Sequence, residues 1–173
     1  QAAVDEFGGL DILVNNVAAR KQTLMADTSY EDWREVMVSV LDSTFLCTRA
    51  AIPHLIASGR GSIVNLGGVS GFAGVPLRSH VATAKAGISG MTGSLAVELA
   101  PHNITVNCIS PGHIDTSHDG GLPKHFQDKT APLGRAGTVE EIAATARFLC
   151  GPGGRYITGE TIHVNGGWHI NIA

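Results

Sequence analysis

Residues that could bind a small molecule follow three short apolar runs of the sequence. The pairs Asn15-Asn16 and Gly67-Gly68 and the segment Pro111–Thr116 each come directly after such a run. Strands buried in a parallel sheet appear in a sequence as continuous apolar runs, and ligands of these sheets bind beyond the carboxyl ends of the strands. We therefore expect the three segments to meet at one edge of a sheet and to form a binding site there.

Titratable side chains that could serve this site are Lys85, inside a predicted helix, and some of the eight histidines. Histidine exchanges protons near neutral pH and is also a common zinc ligand. No H-x-x-x-H pair occurs, so no metal site is expected. The set His80, His113, His118 and His125 is therefore not predicted to bind zinc.

The elements that must position these residues alternate between strands and helices. Buried strands are predicted at Leu10–Val14, Ser62–Leu66, Ile104–Ile109 and Thr161–Val164. This order predicts right-handed crossovers onto a parallel sheet, which is an α/β fold in a single domain, residues 1–173.

Capping signals and apolar spacing predict three helices between the strands. The first begins at a T-x-x-E box, Thr28–Glu31, is bent or interrupted at Pro53 and ends at Gly59. The second covers Ser79–Ala100. The third begins at a box over Thr138–Glu141 and ends at Gly151. The segment Asp115–Pro132 has weak periodicity and is predicted to be a mobile excursion that lines the substrate pocket.

Composition excludes several functional classes. With 43% hydrophobic and 16% charged residues the chain is globular, and no basic run indicates a nucleic-acid groove. No apolar run approaches membrane-spanning length and no signal-peptide pattern is present, so no membrane partner is expected. Cys47, Cys108 and Cys150 form no C-x-x-C pair and are predicted to be buried thiols in a reducing compartment, which favours a cytoplasmic location.

Several segments, in order and at the right spacing, resemble the short-chain dehydrogenase/reductase family. The family pattern is N-N-A-G, then S-S, then Y-x-x-x-K, then P-G-x-I-x-T. Its places are taken here by Asn15–Ala18, Gly67-Gly68, Val81–Lys85 and Pro111–Thr116. The similarity continues through Pro132–Arg135, Ile157–Gly159 and Val164–Gly167, so that it covers essentially the whole chain.

This resemblance implies a Rossmann-like, doubly wound parallel sheet that is incomplete. The chain corresponds to strands 4–7 of the family's seven-stranded sheet, and it starts in what resembles the helix before the fourth strand. No G-x-x-x-G-x-G turn occurs at a strand-to-helix junction, and the glycines at 67, 68, 71 and 74 come too late in the order to be that turn. We therefore expect a longer parent polypeptide with a glycine-rich turn upstream.

The family's catalytic residues carry over one position at a time. Lys85 matches the lysine that lowers the pKa of the catalytic tyrosine and binds the nicotinamide ribose. The tyrosine's place, four residues earlier, is Val81, and the serine's place is Gly68. The asparagine's place, five residues before Phe45, is Val40. Since valine and glycine offer no proton, loss of the general acid is expected to lower the rate by about 10²–10⁴.

The resemblance also implies a cofactor and an assembly. The cofactor is NAD or NADP, with contacts from Asn16, Ala18, Lys85, Pro111, Gly112, Ile114 and Thr116. Binding to this chain alone is expected to be weak or absent, since the pyrophosphate loop would lie upstream. The substrate is a small molecule. The chain is expected to form a homo-oligomer, a dimer or tetramer, through its two long helices, and Leu10–Val14 should be covered by further residues or another molecule.

Three functional interpretations remain at this point. The preferred one is an NAD(P)-dependent oxidoreductase of an alcohol or carbonyl substrate. The second is a non-catalytic relative that binds a nucleotide or a partner subunit, and the third is an enzyme of this fold that uses a different acid.

For the third interpretation, His80 and His113 are the candidate acids. His80 is adjacent to Val81, but helical geometry turns it about 100° from the Val81–Lys85 face, and its alternative is a surface or interface histidine. His113 should lie nearer the nicotinamide. Asp115, Thr116 and His118 could also approach.

Overall fold

The computed structural model describes residues 1–116 and 131–170. Most of the predicted excursion, with His118 and His125, lies outside these residues. In chain order the elements are α1 (Ala2–Phe7), β1 (Ile12–Asn15), α2 (Tyr30–Val36), α3 (Ser43–Ser58), β2 (Ser62–Leu66), α4 (Ser79–Leu99), β3 (Thr105–Pro111), β4 (Ile114–Asp115), β5 (Gly137–Thr138), α5 (Val139–Cys150) and β6 (Thr161–Val164).

Four of the strands form one parallel sheet in the order β1-β2-β3-β6. The predicted α/β fold with a parallel sheet is confirmed. Helices cover both faces. On one face α3 and α4 pack against Ile63 and Val106, and on the other face α5 packs against Val64 and Ile109. The carboxyl ends of all four strands therefore lie along one side of the sheet, its carboxyl edge.

Helix α2 continues into α3 through a π-helical segment, Met37–Asp42, so that residues 30 to 58 form one helical stretch. It begins one residue later than predicted, because Ser29 accepts the bond from the amide of Asp32 while the Thr28 hydroxyl donates to Leu24 O. Pro53 lies inside α3, and Gly59 ends the helix at a φ of 69°. At α5 the predicted box is confirmed, with both Thr138–Glu141 bonds present.

By length and composition alone, the stretch from 30 to 58 could cross a membrane, since an 18-residue window of it has a mean hydropathy of 1.3, contrary to the prediction from the sequence. Its inward side chains, including Val36, Val40 and Leu55, are buried against the rest of the protein. A core helix of a globular protein has the same composition and the same buried stripe.

Strand β1 lies at the edge of the sheet. Val14 is level with Val64 in the parallel register, yet α5 covers only the neighbouring strands. As a result Ile12 and Val14 are 46% and 45% exposed. An apolar edge strand of this kind offers unpaired backbone groups to another segment.

Cysteine burial differs along the chain. Cys108 is buried and Cys150 is partly buried, but Cys47 is exposed on α3, so the prediction of three buried thiols is wrong for Cys47. Over residues 1–116 and 131–170 no three His, Cys, Asp or Glu side chains cluster as a metal site would require.

Candidate functional site

Buried amides hold the carboxyl ends of β1 and β2 together. The Asn15 amide donates to Thr48 Oγ1 at 3.0 Å and to Asn65 Oδ1 at 2.8 Å, and Asn65 donates to Thr92 Oγ1 at 3.0 Å. This network ties both strand ends to α3 and α4. Asn16, the next residue, is exposed at the carboxyl edge of the sheet.

Lys85 lies buried at this edge, with 6% of its surface exposed. Its Nζ donates to the carbonyl of Val17 at 2.8 Å, in the turn after β1, and to the carbonyl of Leu66 at 2.6 Å, the last residue of β2. Burial lowers the pKa of Lys85 to about 8, and the positive charge of Arg78 also lowers it, while Cys108 acts in the opposite direction. Lys85 is therefore not a solvated surface lysine, and an ammonium with three donors keeps one beyond these two bonds.

Val40 and Val81 lie together in the core. Their exposed fractions are 0% and 1%, and both belong to one apolar cluster with Val36, Met37 and Ala84. Val40 sits in the π-helical segment, where its carbonyl accepts a bond from Thr44 Oγ1 at 2.7 Å. The helix distortion is present although the side chain at its centre is apolar.

Gly68 follows β2 with an extended backbone, at φ 162° and ψ 153°. A Cβ added there would lie 3.8 Å from Ser70 Oγ and 4.0 Å from Lys85 Cγ, which are ordinary contacts. Neither the backbone nor crowding requires glycine at this position. A serine there would stand beside Lys85.

His80 is fully buried, so its assignment as a surface histidine is wrong. Neither ring nitrogen has a hydrogen-bond partner among the residues that the structure describes. Burial lowers the pKa of His80, and the charges of Arg78 and Lys21 lower it further, while Asp32 acts in the opposite direction. The net effect favours the neutral imidazole.

The turn after β3 is held close to the end of β6. The amide of Gly112 donates to Val164 O at 3.1 Å, and a Cβ at Gly112 would lie 2.7 Å from the Cβ of Asn165. Only glycine permits this approach. Farther on, Ile114 and Asp115 pair with β5, and the carbonyl of His113 accepts the amide of Gly137.

Apart from Lys85 on α4, the residues predicted to bind a cofactor lie in the turn after β1 or in the segment from the end of β3 to just beyond β4. Asn16, Ala18 and Thr116 are exposed, whereas Pro111, Gly112 and Ile114 are partly exposed.

Arg78 is a residue that the sequence analysis did not select. It precedes α4, is partly buried, and its Nη2 donates to Ala19 O at 3.1 Å in the turn after β1. The sequence pattern that could have identified Arg78 is its spacing from Lys85, which follows seven residues later. Two helical turns separate such residues and place them on one face.

Known proteins resemble this chain over nearly its whole length. A family model described as enoyl-(acyl carrier protein) reductase matches residues 1–169. The 3-oxoacyl-(acyl-carrier-protein) reductase FabG of Vibrio cholerae is 39% identical over 173 residues, which cover 98% of this chain and 71% of that protein. The chain belongs to the short-chain dehydrogenase/reductase family. The FabG protein of Aquifex aeolicus is 44% identical over 162 residues, or 92% of this chain and 65% of that protein.

Solved structures of other short-chain dehydrogenases/reductases have the same fold. Acetoin dehydrogenase YohF from Salmonella typhimurium superposes with a TM-score of 0.88 at 33% identity, covering 98% of this chain and 69% of that one. Acetoin dehydrogenase from Enterobacter cloacae gives 0.86 at 33% identity, covering 98% and 68%. The chain thus spans 65–71% of the length of these relatives.

Proposed function

We propose that this chain is part of an NAD(P)-dependent oxidoreductase that acts on an alcohol or carbonyl group of a small molecule. The observation that carries the proposal is Lys85, which is buried at the carboxyl edge of the sheet and held by the carbonyls of Val17 and Leu66. Burying a lysine costs free energy, so a lysine fixed in this way has a role other than stability.

The residues at the edge fit the nicotinamide half of a cofactor, which supplies or accepts a hydride when bound. Lys85 would donate its third N–H to the ribose. Asn16 and Ala18 would contact the cofactor from the β1 side. The turn after β3 would contact it from the other side, through Pro111, Gly112, Ile114 and Thr116. The proposal covers both NAD and NADP.

Proton transfer in this enzyme would not use a tyrosine on α4, because α4 contains none and the residue four positions before Lys85 is the buried Val81. A general acid works best with a pKa near the operating pH. Lys85, with a pKa of about 8, meets that condition beside the ribose site. His113 stands on the turn after β3 and is a second candidate.

A specific observation favours a second function, a non-catalytic nucleotide- or partner-binding protein. Val40 and Val81 pack within one buried cluster, and the resemblance assigns to them and to Gly68 the places of three polar groups of the family's site. An apolar core at the reaction centre suits binding without chemistry.

We also propose that residues 1–173 belong to a longer cytoplasmic protein that assembles as a dimer or tetramer. The exposed apolar side chains of β1 and the partial coverage of the relatives support this. The 173 residues alone are expected to bind either cofactor more weakly than millimolar.

The test uses the full-length protein. NADH and NADPH binding is followed by fluorescence, and turnover by nicotinamide absorbance with a panel of diketones and alcohols. Binding with turnover that falls at least tenfold in Lys85→Met, but not in the surface control Arg147→Met, supports the oxidoreductase. Binding without turnover supports the second function, and absence of binding contradicts both.

A further inference from the structure

The chain after β6 makes a tight turn that one side chain holds together. Asn165 is buried, with 6% of its surface exposed. Its Oδ1 accepts the backbone N–H of Gly167 at 3.1 Å, and its Nδ2 lies 3.1 Å from Nδ1 of His169. Gly166 and Gly167 have φ of 64° and 85°, a conformation that favours glycine. We call residues 165–170 the β6 turn.

The directions of these bonds fix the protonation of His169. A backbone N–H can only donate, so the amide oxygen of Asn165 must face Gly167 and its NH₂ group must face His169. Nδ1 of His169 therefore accepts a hydrogen bond and carries no proton. An imidazolium has an N–H at both ring nitrogens, so a protonated His169 would point a donor at a donor. Rotating the Asn165 amide would only move this conflict to Gly167, so the bonding pattern requires a neutral His169.

A second histidine stacks on this ring. The rings of His163, on β6, and His169 lie 3.8 Å apart between centroids at an angle of 11°. The ring of Phe72, in the loop after β2, meets His163 at a centroid distance of 4.8 Å and an angle of 80°. Among the described residues, the buried Nδ1 of His163 has no hydrogen-bond partner. Burial lowers the pKa of His163, and the charge of His169 lowers it further. The surroundings of the stack therefore favour uncharged imidazoles.

The groups at the carboxyl edge do not compensate for a proton on the stack. Described titratable or charged groups on the neighbouring elements include Arg78, Lys85, Cys108, His113, Asp115 and Glu141. Burial raises the pKa of Cys108, so this thiol stays uncharged. Of the carboxylates, Glu141 is paired with Arg135, and Asp115 is exposed on β4, which pairs with β5. Within the described ranges, the ion pairs involve neither ring of the stack.

The β6 turn supports the turn after β3. A Cβ at Gly112 would lie 2.7 Å from Cβ and 2.8 Å from Cα of Asn165, so the two segments are in direct contact. Beyond residues 117–130, the amide of Leu133 donates to Gly166 O at 3.2 Å, and a Cβ at Gly166 would lie 2.9 Å from the Cβ of Ala131. Order in the β6 turn therefore bears on the segment that the proposed function places against the nicotinamide.

We propose that Asn165 is a positioning residue, which orders the turn after β3 for cofactor binding while His169 is neutral and releases it when the stack is protonated. The cofactor part of this inference rests on the proposed oxidoreductase function, whereas the release of the β6 turn does not. Because folding lowers the pKa of His163, the unfolded segment binds more protons below about pH 6.5. Order in the β6 turn is therefore lost as the pH falls below that value.

Hydrogen exchange of the full-length protein between pH 5 and 8, corrected for the intrinsic exchange rate, tests the release. We expect protection of the Gly167 and Leu133 amides to fall at least tenfold from pH 7.5 to pH 5. Calorimetry with NAD⁺ and NADP⁺, which are stable in acid, should show binding that weakens over the same range.

Two variants separate this mechanism from general sensitivity to acid. Asn165→Asp supplies two acceptor oxygens, one for the Gly167 amide and one for a protonated His169, so protection and binding should be retained at pH 5. His169→Phe keeps a stacked ring that does not titrate. Protection should then be lower at pH 7.5 and should fall less than threefold toward pH 5. The matched control, His102→Phe, changes an exposed histidine after α4 and should follow the wild-type profile.

Protection that does not change with pH in the wild-type protein, or an equal loss in Asn165→Asp, overturns the proposal. Loss of protection in acid without weaker cofactor binding also overturns it, because the β6 turn would then not position the cofactor site. Failure of the proposed function gives a different result. Neither cofactor would then bind at any pH, which contradicts the positioning role, while the exchange profiles still decide whether acid releases the β6 turn.

Discussion

Single residues decide what chemistry this sheet edge can perform. Lys85 and the turns after β1 and β3 lie together at the carboxyl edge, and under the proposed function Val40, Gly68 and Val81 take the places at which the resemblance predicts polar side chains. The changes are of two kinds. Gly68 leaves room that a serine could fill, whereas the two valines fill space in the core and support each other.

Restoring the missing groups tests this difference. In the full-length protein, Gly68→Ser with Val81→Tyr should raise diketone reduction at least tenfold, because Lys85 is in position. Gly68→Ser alone should leave stability unchanged, while Val81→Tyr overpacks a buried cluster and should destabilise by about 1–3 kcal/mol. The measurements are kcat/KM and Tm, with Gly68→Ala as control. A fall in activity would indicate another acid, and His80→Ala and His113→Ala would then identify it.

Lys85 should also make stability depend on pH. Its pKa is lowered from 10.5 to about 8 on folding, so between these values the unfolded chain binds more protons and stability rises with pH. Below pH 8 both states are protonated, and the cost of the buried charge is constant at about 3 kcal/mol.

Urea unfolding of the full-length protein between pH 7.5 and 10.5 checks this pH dependence of the free energy of unfolding. Relative to Lys85→Met, the wild-type protein should gain about 2–3 kcal/mol across that range. Arg147→Met, which changes an exposed cation on α5, should follow the wild-type profile. Parallel profiles for the wild-type protein and Lys85→Met would show that the lysine is not desolvated.

At the scale of elements, the sequence predicts what depends on local pattern. The bounds of β2 and β6 agree with the prediction at both ends, and α4 differs by a single residue, because apolar spacing and glycine stops specify them. Contacts between distant residues are not visible in the pattern. The burial of His80, the pairing of β4 with β5 and the Arg78–Ala19 bond depend on tertiary packing and were not predicted.

The starts of α2 and α5 also depend on contacts that the sequence pattern does not show, and substitutions at their caps test this. Two T-x-x-E boxes occur, but only Thr138 accepts a bond from a helix amide, since Ser29 caps α2 in place of Thr28. Thr138→Ala should therefore destabilise the protein by about 1 kcal/mol. Thr28→Ala, the matched control, should have a smaller effect, and Ser29→Ala should resemble Thr138→Ala. Denaturant midpoints measure all three, and an equal loss in Thr28→Ala would contradict the assigned caps.

For the whole molecule, the outer face of the α3–α4 layer is a surface on which exposed apolar side chains could contact a partner. Phe45 and Leu46 on α3 are 48% and 55% exposed, and Val97 on α4 is 79% exposed. Along α4 the small residues include Gly90 and Gly93, where an added Cβ would meet no atom within 4 Å. Small residues beside exposed apolar ones allow two helices to approach closely and bury apolar surface between them.

We therefore expect the full-length protein to sediment as a dimer or tetramer at micromolar concentration, with α3 and α4 of two copies in contact. Gly90→Arg should shift it to smaller species, because a long charged side chain would separate the helices. Arginine favours helix more than glycine does, so α4 itself should remain folded. Gly74→Arg is the matched control, since a Cβ at that glycine is equally unobstructed but lies outside the helix. A wild-type monomer, or an assembly that Gly90→Arg leaves unchanged, would place the contact elsewhere.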